Sequence, residues 1–379
     1  MAARIIVVGG GVIGTSLTWR LAQRGAQVTL VEAHGLASGT SSTSFAWLNA
    51  NGKPPLAYHR LNWAGIMEHI HLREELGEAP WLHLTGNLTW EQPAIQGATE
   101  PNIPIQAERL THRLHRLAEW NYPLEVLDRR EVAHRFPAIT PPAGVESFVT
   151  FPAEGWAEVS VLTGHLASRT VALGSEIITH DSVTGFLQSS GRITGVQTIS
   201  GRQLEGDKVI VCGGRWSQEL LALTGITLPM APTLGLLAYT SPIATGHQSL
   251  VHSPLVNLRP DGGGRFVLAN YDVDNALTWD DTPETRRERA EPLLTAAADI
   301  LPAVRGARIE AVRLGIRSIP ADGFPVVGPV PGMDGLHVVA THSGVTMGPL
   351  LGRLAAVEIL DGQHTDLLAD FRPTRLIVA

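Results

Sequence analysis

The sequence is nearly devoid of cysteine and lysine. Its one cysteine, Cys212, excludes an internal disulfide and a cysteine-rich metal site, which suits a reducing compartment, the cytoplasm. Lysine occurs only at Lys53 and Lys208, so arginine carries the positive charge and each lysine can be weighed individually as a catalytic group. Positive charge is itself in deficit. A net charge of −7, from 29 Lys and Arg against 36 Asp and Glu, leaves no general electrostatic reason to bind nucleic acid or an anionic membrane surface. No stretch approaches the roughly 18 uninterrupted apolar residues of a membrane span. The apolar run within MAARIIVVGGGVIG is too short and too rich in glycine for a secretory signal. Tandem repeats and low-complexity linkers are also absent. What remains is a chain of 379 residues, 44% hydrophobic and 17% charged, the composition of a globular protein of about two domains.

The first thirty residues carry the strongest local pattern. A β-branched run at Arg4–Val8, helical spacing over Val12–Gln23 and a second apolar run at Val28–Val31 make a βαβ unit. Between the first strand and the helix lies Gly9-Gly10-Gly11-Val12-Ile13-Gly14, a G-x-G-x-x-G. Gly9 permits the tight turn, Gly11 lets backbone approach a pyrophosphate, and Gly14 allows close packing of helix on strand, while the helix start supplies amides and a positive dipole end. Glu32, at the end of the second strand, is placed to accept hydrogen bonds from a ribose diol. These residues predict a dinucleotide without saying which one. Ser38-Gly39-Thr40-Ser41-Ser42-Thr43-Ser44 then offers small hydroxyls and exposed amides for further pyrophosphate contacts, and Phe45-Ala46-Trp47-Leu48 is apolar enough to meet an isoalloxazine ring; a solvated serine-rich loop is the alternative.

Farther along, the spacing predicts helices over Pro54–Leu76, Ala107–Trp120, from Asp128 with a capping box to Glu131, over Val159–Val171, Pro283–Ile300 and Val345–Leu360. Strands are expected at Glu176–Thr179, Val183–Leu187, Gly195–Ile199, Lys208–Val211, Ala231–Thr240, Val251–Leu258, Arg265–Asn270, Arg308–Ile316 and Leu336–Ala340.

Three blocks carry a family resemblance. Ala321-Asp322-Gly323-Phe324-Pro325-Val326-Val327-Gly328-Pro329, the segment Leu336–Pro349 with its Thr341-His342-Ser343-Gly344-Val345-Thr346-Met347-Gly348 turn, and Val209-Ile210-Val211-Cys212-Gly213-Gly214-Arg215-Trp216-Ser217 together resemble the D-amino-acid oxidase superfamily, which includes glycine oxidase, sarcosine oxidase and D-amino-acid dehydrogenase. The resemblance runs over nearly the whole chain and is weakest between Ala79 and Thr150. It implies an α/β fold in which a Rossmann-like FAD-binding domain (1–78, 151–225 and 318–379) is interleaved with a mixed or antiparallel-sheet substrate domain (79–150 and 226–317). It implies cofactor contacts from Gly9, Gly11, Val12, Ile13, Gly14, Glu32, Ala33, Ser41, Ser42, Ala46, Trp47, Leu48, Val183, Cys212, Gly213, Gly214, Gly344, Val345, Thr346 and Met347. Free amides at the 341–348 helix start would stabilise negative charge on the reduced flavin.

The same resemblance puts Arg317 in the place of a carboxylate-binding arginine, able to clamp a carboxylate through two parallel hydrogen bonds, with a domain-bridging salt link as the alternative. Arg259 and Arg313 are weaker candidates, as strand residues expected to face solvent. Asn49, Trp47 and Asn257 would shape the pocket, Asn257 standing near where the family has a tyrosine. No cysteine lies near Gly315–Arg317, so the FAD is expected to be noncovalent; Val267 replaces the family's oxygen-activating lysine. Lys53, His252 and His342 are the remaining titratable groups near the expected site, and the histidine spacing makes no metal site. The activity implied is hydride transfer to flavin N5 from the carbon beside an amine nitrogen of an amine or amino acid, with oxygen or another acceptor reoxidising the flavin. Transfer to a quinone or carrier protein, oxidation of a hydroxy acid, and a flavin-binding scaffold without turnover are the alternatives.

Overall fold

The computed structural model describes residues 2–91 and 109–377. Its first layer is a six-stranded sheet in the order β19 (Val326–Pro329), β20 (Leu336–Ala340), β13 (Lys208–Val211), β1 (Arg4–Val8), β2 (Gln27–Val31), β9 (Glu176–Ile178). All pairings are parallel except that of β19 with β20. A parallel sheet is covered on both faces, and β1 reads accordingly as an unbroken apolar run. Ile5 and Val7 pack with Val12, Leu17, Leu350 and Leu354, whereas Ile6 and Val8 pack with Val209, Val211, Ile193 and Val196. The second group includes residues of a three-stranded antiparallel sheet, β10 (Val183–Ser189), β11 (Arg192–Thr198) and β12 (Gln203–Glu205), which lies over that face.

Helices α1 (Val12–Gln23) and α9 (Gly344–Asp361) cover the opposite face and cross closely. A Cβ on Gly352 would lie 2.7 Å from the Ser16 carbonyl carbon, and one on Gly348 would lie 3.0 Å from the Val12 side chain. In neither helix does the N-cap residue, Gly11 or Ser343, cap the start with its own side chain. Helices α2 (Leu56–Leu76) and α5 (Val159–Ala172) complete this side, with Leu61, Ile66, Leu162 and Leu166 in the same core.

The second large sheet has eight strands in the order β18 (Ile309–Ile316), β14 (Leu234–Thr240), β17 (Arg265–Ala269), β16 (Asn257–Asp261), β15 (Leu250–His252), β5 (Asn87–Thr89), β7 (Ser147–Phe151), β6 (Glu125–Asp128), antiparallel throughout except between β15 and β5. Helix α8 (Pro283–Ile300) packs Ala290, Leu293, Ala297 and Ile300 against Leu236, Ala238, Phe266 and Leu268 on one face. Alternation turns Leu237, Val267 and Ala269 to the other face, toward Phe45. A small sheet of β3 (Trp47–Leu48), β8 (Gly155–Ala157) and β4 (Leu82–His83) lies between the two large sheets in sequence. The remaining helices are α3 (Leu110–Glu119), α4 (Arg129–Arg135), α6 (Ser217–Ala222) and α7 (Tyr271–Ala276). No helix among the described residues is long and apolar enough to cross a membrane.

Most expected elements stand within a few residues of their predicted ends, and the capping box of Asp128 and Glu131 has both of its hydrogen bonds. The start of the helix expected from Ala107 falls at 107–108, outside the described residues. The run Val251–Leu258 is two strands rather than one, because Ser253 closes a turn on Val256 through Oγ and backbone bonds. Strand β14 begins at Leu234, three residues after its expected start, and Asn270 ends β17 by capping α7 at the Asp272 amide. Strands β5, β6 and β7 had no periodic signal; β5 is completed by β7 and β15, far away in sequence, and the edge strand β6 by β7 alone.

The helix crossing can be tested by thermal unfolding. Gly352→Leu should lower stability by about 1–3 kcal/mol, the usual cost of overpacking. Gly164→Ala, at a helix position with open space around the new Cβ, should raise it by about 0.5–1 kcal/mol.

Candidate active site

The carboxyl ends of β1, β2 and β13 are held together by backbone. Gly9 N–H donates to Val31 O at 2.8 Å, Cys212 N–H to Val8 O at 2.8 Å, and Glu32 N–H to Ile178 O at 2.8 Å. Gly9 has φ +109°, and a Cβ there would stand 2.5 Å from Cys212 O, so the turn requires glycine. A Cβ on Gly14 would fall 1.9 Å from Gly9 O. Glu32 accepts from Gly10 N–H at 2.6 Å and His34 N–H at 2.9 Å, which places its carboxylate beside the glycine turn; Ala33 follows it. Val183 begins β10 two residues after Asp181, whose amide donates to Glu32 O. Ser41 Oγ accepts from Val12 N–H at 3.1 Å, fixing the serine loop over the start of α1, with Ser42 beside it. Gly213 and Gly214 follow Cys212, whose buried thiol is pushed to a high pKa by desolvation.

From this turn the serine loop leads to a cleft of about 150 Å³ between the two large sheets. Ala46, Trp47, Asn49, Asn257, Arg317, Val345 and Thr346, all expected at the site, line it, and Lys53, His252 and His342 join them. Leu48 and Met347 are instead fully buried in the core and do not line the cleft. Gly344 sits at the start of α9 in contact range of Ile13, and Ile13 packs in the core beneath. Thr346 Oγ donates to Trp47 O at 3.2 Å, tying α9 to β3. Tyr58 and Ser343 share a 2.8 Å hydrogen bond at the start of α9.

Strand register supplies the other wall. His252, Asn257 and Ala269 are successive cross-strand partners on β15, β16 and β17. Gly315 pairs with Gly235, and a Cβ on Gly315 would stand 2.4 Å from Thr43 O, so the serine loop rests directly on the end of β18. Arg317 follows. Its guanidinium donates to Leu234 O and forms an ion pair with Asp274 on α7, while Tyr271 lies 6.0 Å away by ring centroid. Asp274 also accepts from Leu236 N–H at 2.7 Å. Arg317 thus lines the cleft, and its ion pair with Asp274 lies within the 226–317 segment and is not a link to the six-stranded sheet. Asp274 and Tyr271 had no sequence signal, and Asn270 had none beyond its place at the end of an expected strand. Arg259 departs from expectation, being 5% exposed and donating to Phe45 O at 2.7 Å, whereas Arg313 is exposed.

Behind Trp47 is a buried carboxyl that sequence reasoning missed. Glu154 accepts from Trp47 Nε1–H at 3.0 Å, Asn51 Nδ2–H at 2.8 Å, Asn87 Nδ2–H at 3.1 Å and Tyr122 O–H at 2.8 Å. Burial pushes its pKa up to about 7 against four donors that favour the charged form. No group of three His, Cys, Asp or Glu suited to a metal occurs among the described residues.

The donor set fits FAD. Two helix starts and a glycine turn supply backbone amides for a pyrophosphate and an electron-rich ring. The buried Oδ1 of Asn49, at the cleft wall, has no hydrogen-bond partner among the described residues.

The unfolded Glu154 carboxyl would titrate near 4.5 and the folded one near 7. Its stabilising contribution is therefore complete below about 4.5 and is lost as pH rises through about 7. The stability of the wild type minus that of Glu154→Gln should fall across that window, by at most about 1.4 kcal/mol per pH unit. A difference that stays level with pH would place the proton elsewhere.

Comparison with known proteins agrees with this geometry. Glycine oxidase of Pseudomonas putida is 27% identical over 383 residues, covering 98% of this chain and 96% of the relative. The crystal structure of glycine oxidase from Bacillus cereus superposes with a TM-score of 0.78 at 22% identity over 97% of this chain and 98% of that one. L-proline dehydrogenase from P. horikoshii does so with a TM-score of 0.82 at 21% identity, over 99% of this chain and 97% of that one. The fold is therefore the expected one, a Rossmann-like layer joined to a substrate sheet. Residues 4–357 match the pattern of the FAD dependent oxidoreductase family, and the protein is a member of that family, an oxidoreductase whose cofactor is FAD.

Proposed function

We propose that this protein oxidises the carbon–nitrogen bond of a small amine or amino acid that carries a carboxylate, with its FAD held noncovalently. Bound FAD supplies a two-electron acceptor for the hydride on the carbon beside nitrogen, leaving an imine, and oxygen then yields hydrogen peroxide. The observation that carries this reading is Arg317 at the wall of the cleft that Trp47, Val345 and Thr346 also line. Its guanidinium holds the substrate carboxylate, and Asp274 and Leu234 O fix the direction in which the fork points. Phe45, Trp47 and Leu237 exclude water from the reacting carbon. A neutral amine needs no general base, which accords with Asp274 being committed to Arg317 and the Leu236 amide.

We further propose that 1–78, 151–225 and 318–379 form the cofactor half and 79–150 and 226–317 the substrate half. Every strand of the six-stranded sheet falls in the first set, and the eight-stranded sheet falls in the second but for Phe151, which supports the division.

An anaerobic titration of the yellow holoprotein with amines and amino acids tests the activity: carboxylated amines should bleach the flavin, and a flavin that none of them reduces refutes the reading. Acid precipitation should release free FAD, because Cys212 is sealed beneath the glycine turn; flavin retained on the denatured chain would show a covalent link.

Arg317→Met alone would leave Asp274 buried without its cation, so the anchor is better tested in the pair Arg317→Met with Asp274→Asn. Turnover of carboxylated amines should fall about 30- to 150-fold, the scale of a lost charge-assisted hydrogen bond, with FAD content retained. Equal impairment of amines without a carboxylate would remove Arg317 from substrate binding.

A further inference from the structure

Beside Arg317 the cleft presents a second polar group of fixed chemistry. His252 stacks on Trp47 with ring centroids 3.8 Å apart, and Phe45 meets its ring at 72° from 5.5 Å, so the plane of the imidazole is set. Its Nδ1 lies 2.8 Å from Asn87 Oδ1. The proton on that contact is determined by the group behind it. As a carboxylate Glu154 can only accept, and its Oε2 takes Trp47 Nε1–H and Asn87 Nδ2–H together. Asn87 Oδ1 is thereby directed at His252, which must carry its proton on Nδ1. The assignment belongs to the carboxylate form of Glu154, to which Tyr122 O–H and Asn51 Nδ2–H donate as well.

The other ring nitrogen, Nε2, is then unprotonated. It makes no hydrogen bond with a described residue and is not among the buried atoms that lack one, so it is open to the cleft that His252 lines. Desolvation, with the Arg113 charge adding to it, holds the ring down to about 3. Such a weak base does not take a proton from an ammonium ion. What it offers is a lone pair.

We propose that His252 Nε2 accepts a hydrogen bond from the N–H of the bound amine, so that the site selects primary and secondary amines over those with no N–H. This rests on the amine reading above and narrows its substrate class. The selection arises because an N,N-dialkylated nitrogen leaves Nε2 desolvated and unpaired, which is the costly half of a hydrogen-bond mismatch. Asn87 and Glu154 act as positioning residues that hold the tautomer.

Two acids that the flavin cannot oxidise provide a test independent of turnover. Pyrrole-2-carboxylate and furan-2-carboxylate share a five-membered ring and a carboxylate, and differ by N–H against ring oxygen. Titration calorimetry on the FAD-loaded protein should find the pyrrole acid bound about 10-fold or more tighter. His252→Phe should abolish that ratio. His252→Gln, whose amide can still donate to Asn87 and accept from the ligand, should keep part of it, and flavin absorbance reports that the site is intact. Equal affinities in the wild type, no binding of either acid, or a ratio unchanged in His252→Phe overturns the proposal. If amines bleach the flavin while any of these is found, the parent reading stands and only the role of His252 is lost. If no amine bleaches it, the assignment of an amine N–H as the natural donor falls with the parent reading.

Discussion

The close crossing of α1 and α9 is the constraint from which the site follows. Glycine at 348 and 352 lets the α9 backbone settle onto Val12 and Ser16, and Gly14 lets α1 settle onto the turn after β1. Two helix starts thus meet at the same edge of the parallel sheet. Ser41 Oγ takes the Val12 amide, and the other amides and the aligned dipoles of the two starts favour an anionic ligand there. The location agrees with the general tendency of ligands to bind at the carboxyl ends of parallel strands.

A second sheet turns this cofactor edge into a chamber. The serine loop crosses to β18, where Thr40 Oγ donates to Ile316 O at 2.6 Å, and that contact brings Arg317 within the same cleft as Trp47 and α9. Arg317 is 19% exposed at its side chain and Asp274 only 2%, so the pair is largely removed from water. Pairs of this kind add little to stability relative to apolar packing, yet removing one member is expensive because the other is left charged and buried. Their value here lies in direction: Asp274 is itself held by the Leu236 amide, and it fixes the guanidinium that a mobile arginine would present in many poses.

The wall opposite follows the same logic with a different charge. Glu154, wholly buried, gathers four donors and through them sets Trp47 and His252. A polar network so fully satisfied rigidifies what it touches, whereas a partly satisfied one would destabilise it. The cleft is thereby lined by two aromatic rings whose orientation is decided by a carboxyl that never reaches the ligand.

Local chemistry was legible in the sequence by itself. The β-branched run of β1, the G-x-G-x-x-G, Glu32 and the helix of Pro283–Ile300 are written in adjacent residues, because turns, caps and periodic burial act over a few positions. The glycine turn and Glu32 could therefore be singled out from the residues themselves, whereas Arg317 was singled out only by the family resemblance. Tertiary structure alone decided the rest. Strands β5, β6 and β7 owe their existence to partners more than a hundred residues away or to one another across a long intervening segment, and a short strand without its neighbour has no signature. The same holds for charge: nothing near Asp274 in the sequence pairs it with Arg317, and nothing near Glu154 places Trp47, Asn51, Asn87 and Tyr122 around it. Burial, and the hydrogen bonds that make burial of a charge tolerable, are properties of the assembled interior; that is why the pKa of Glu154 and the tautomer of His252 could be read only once the chain was folded.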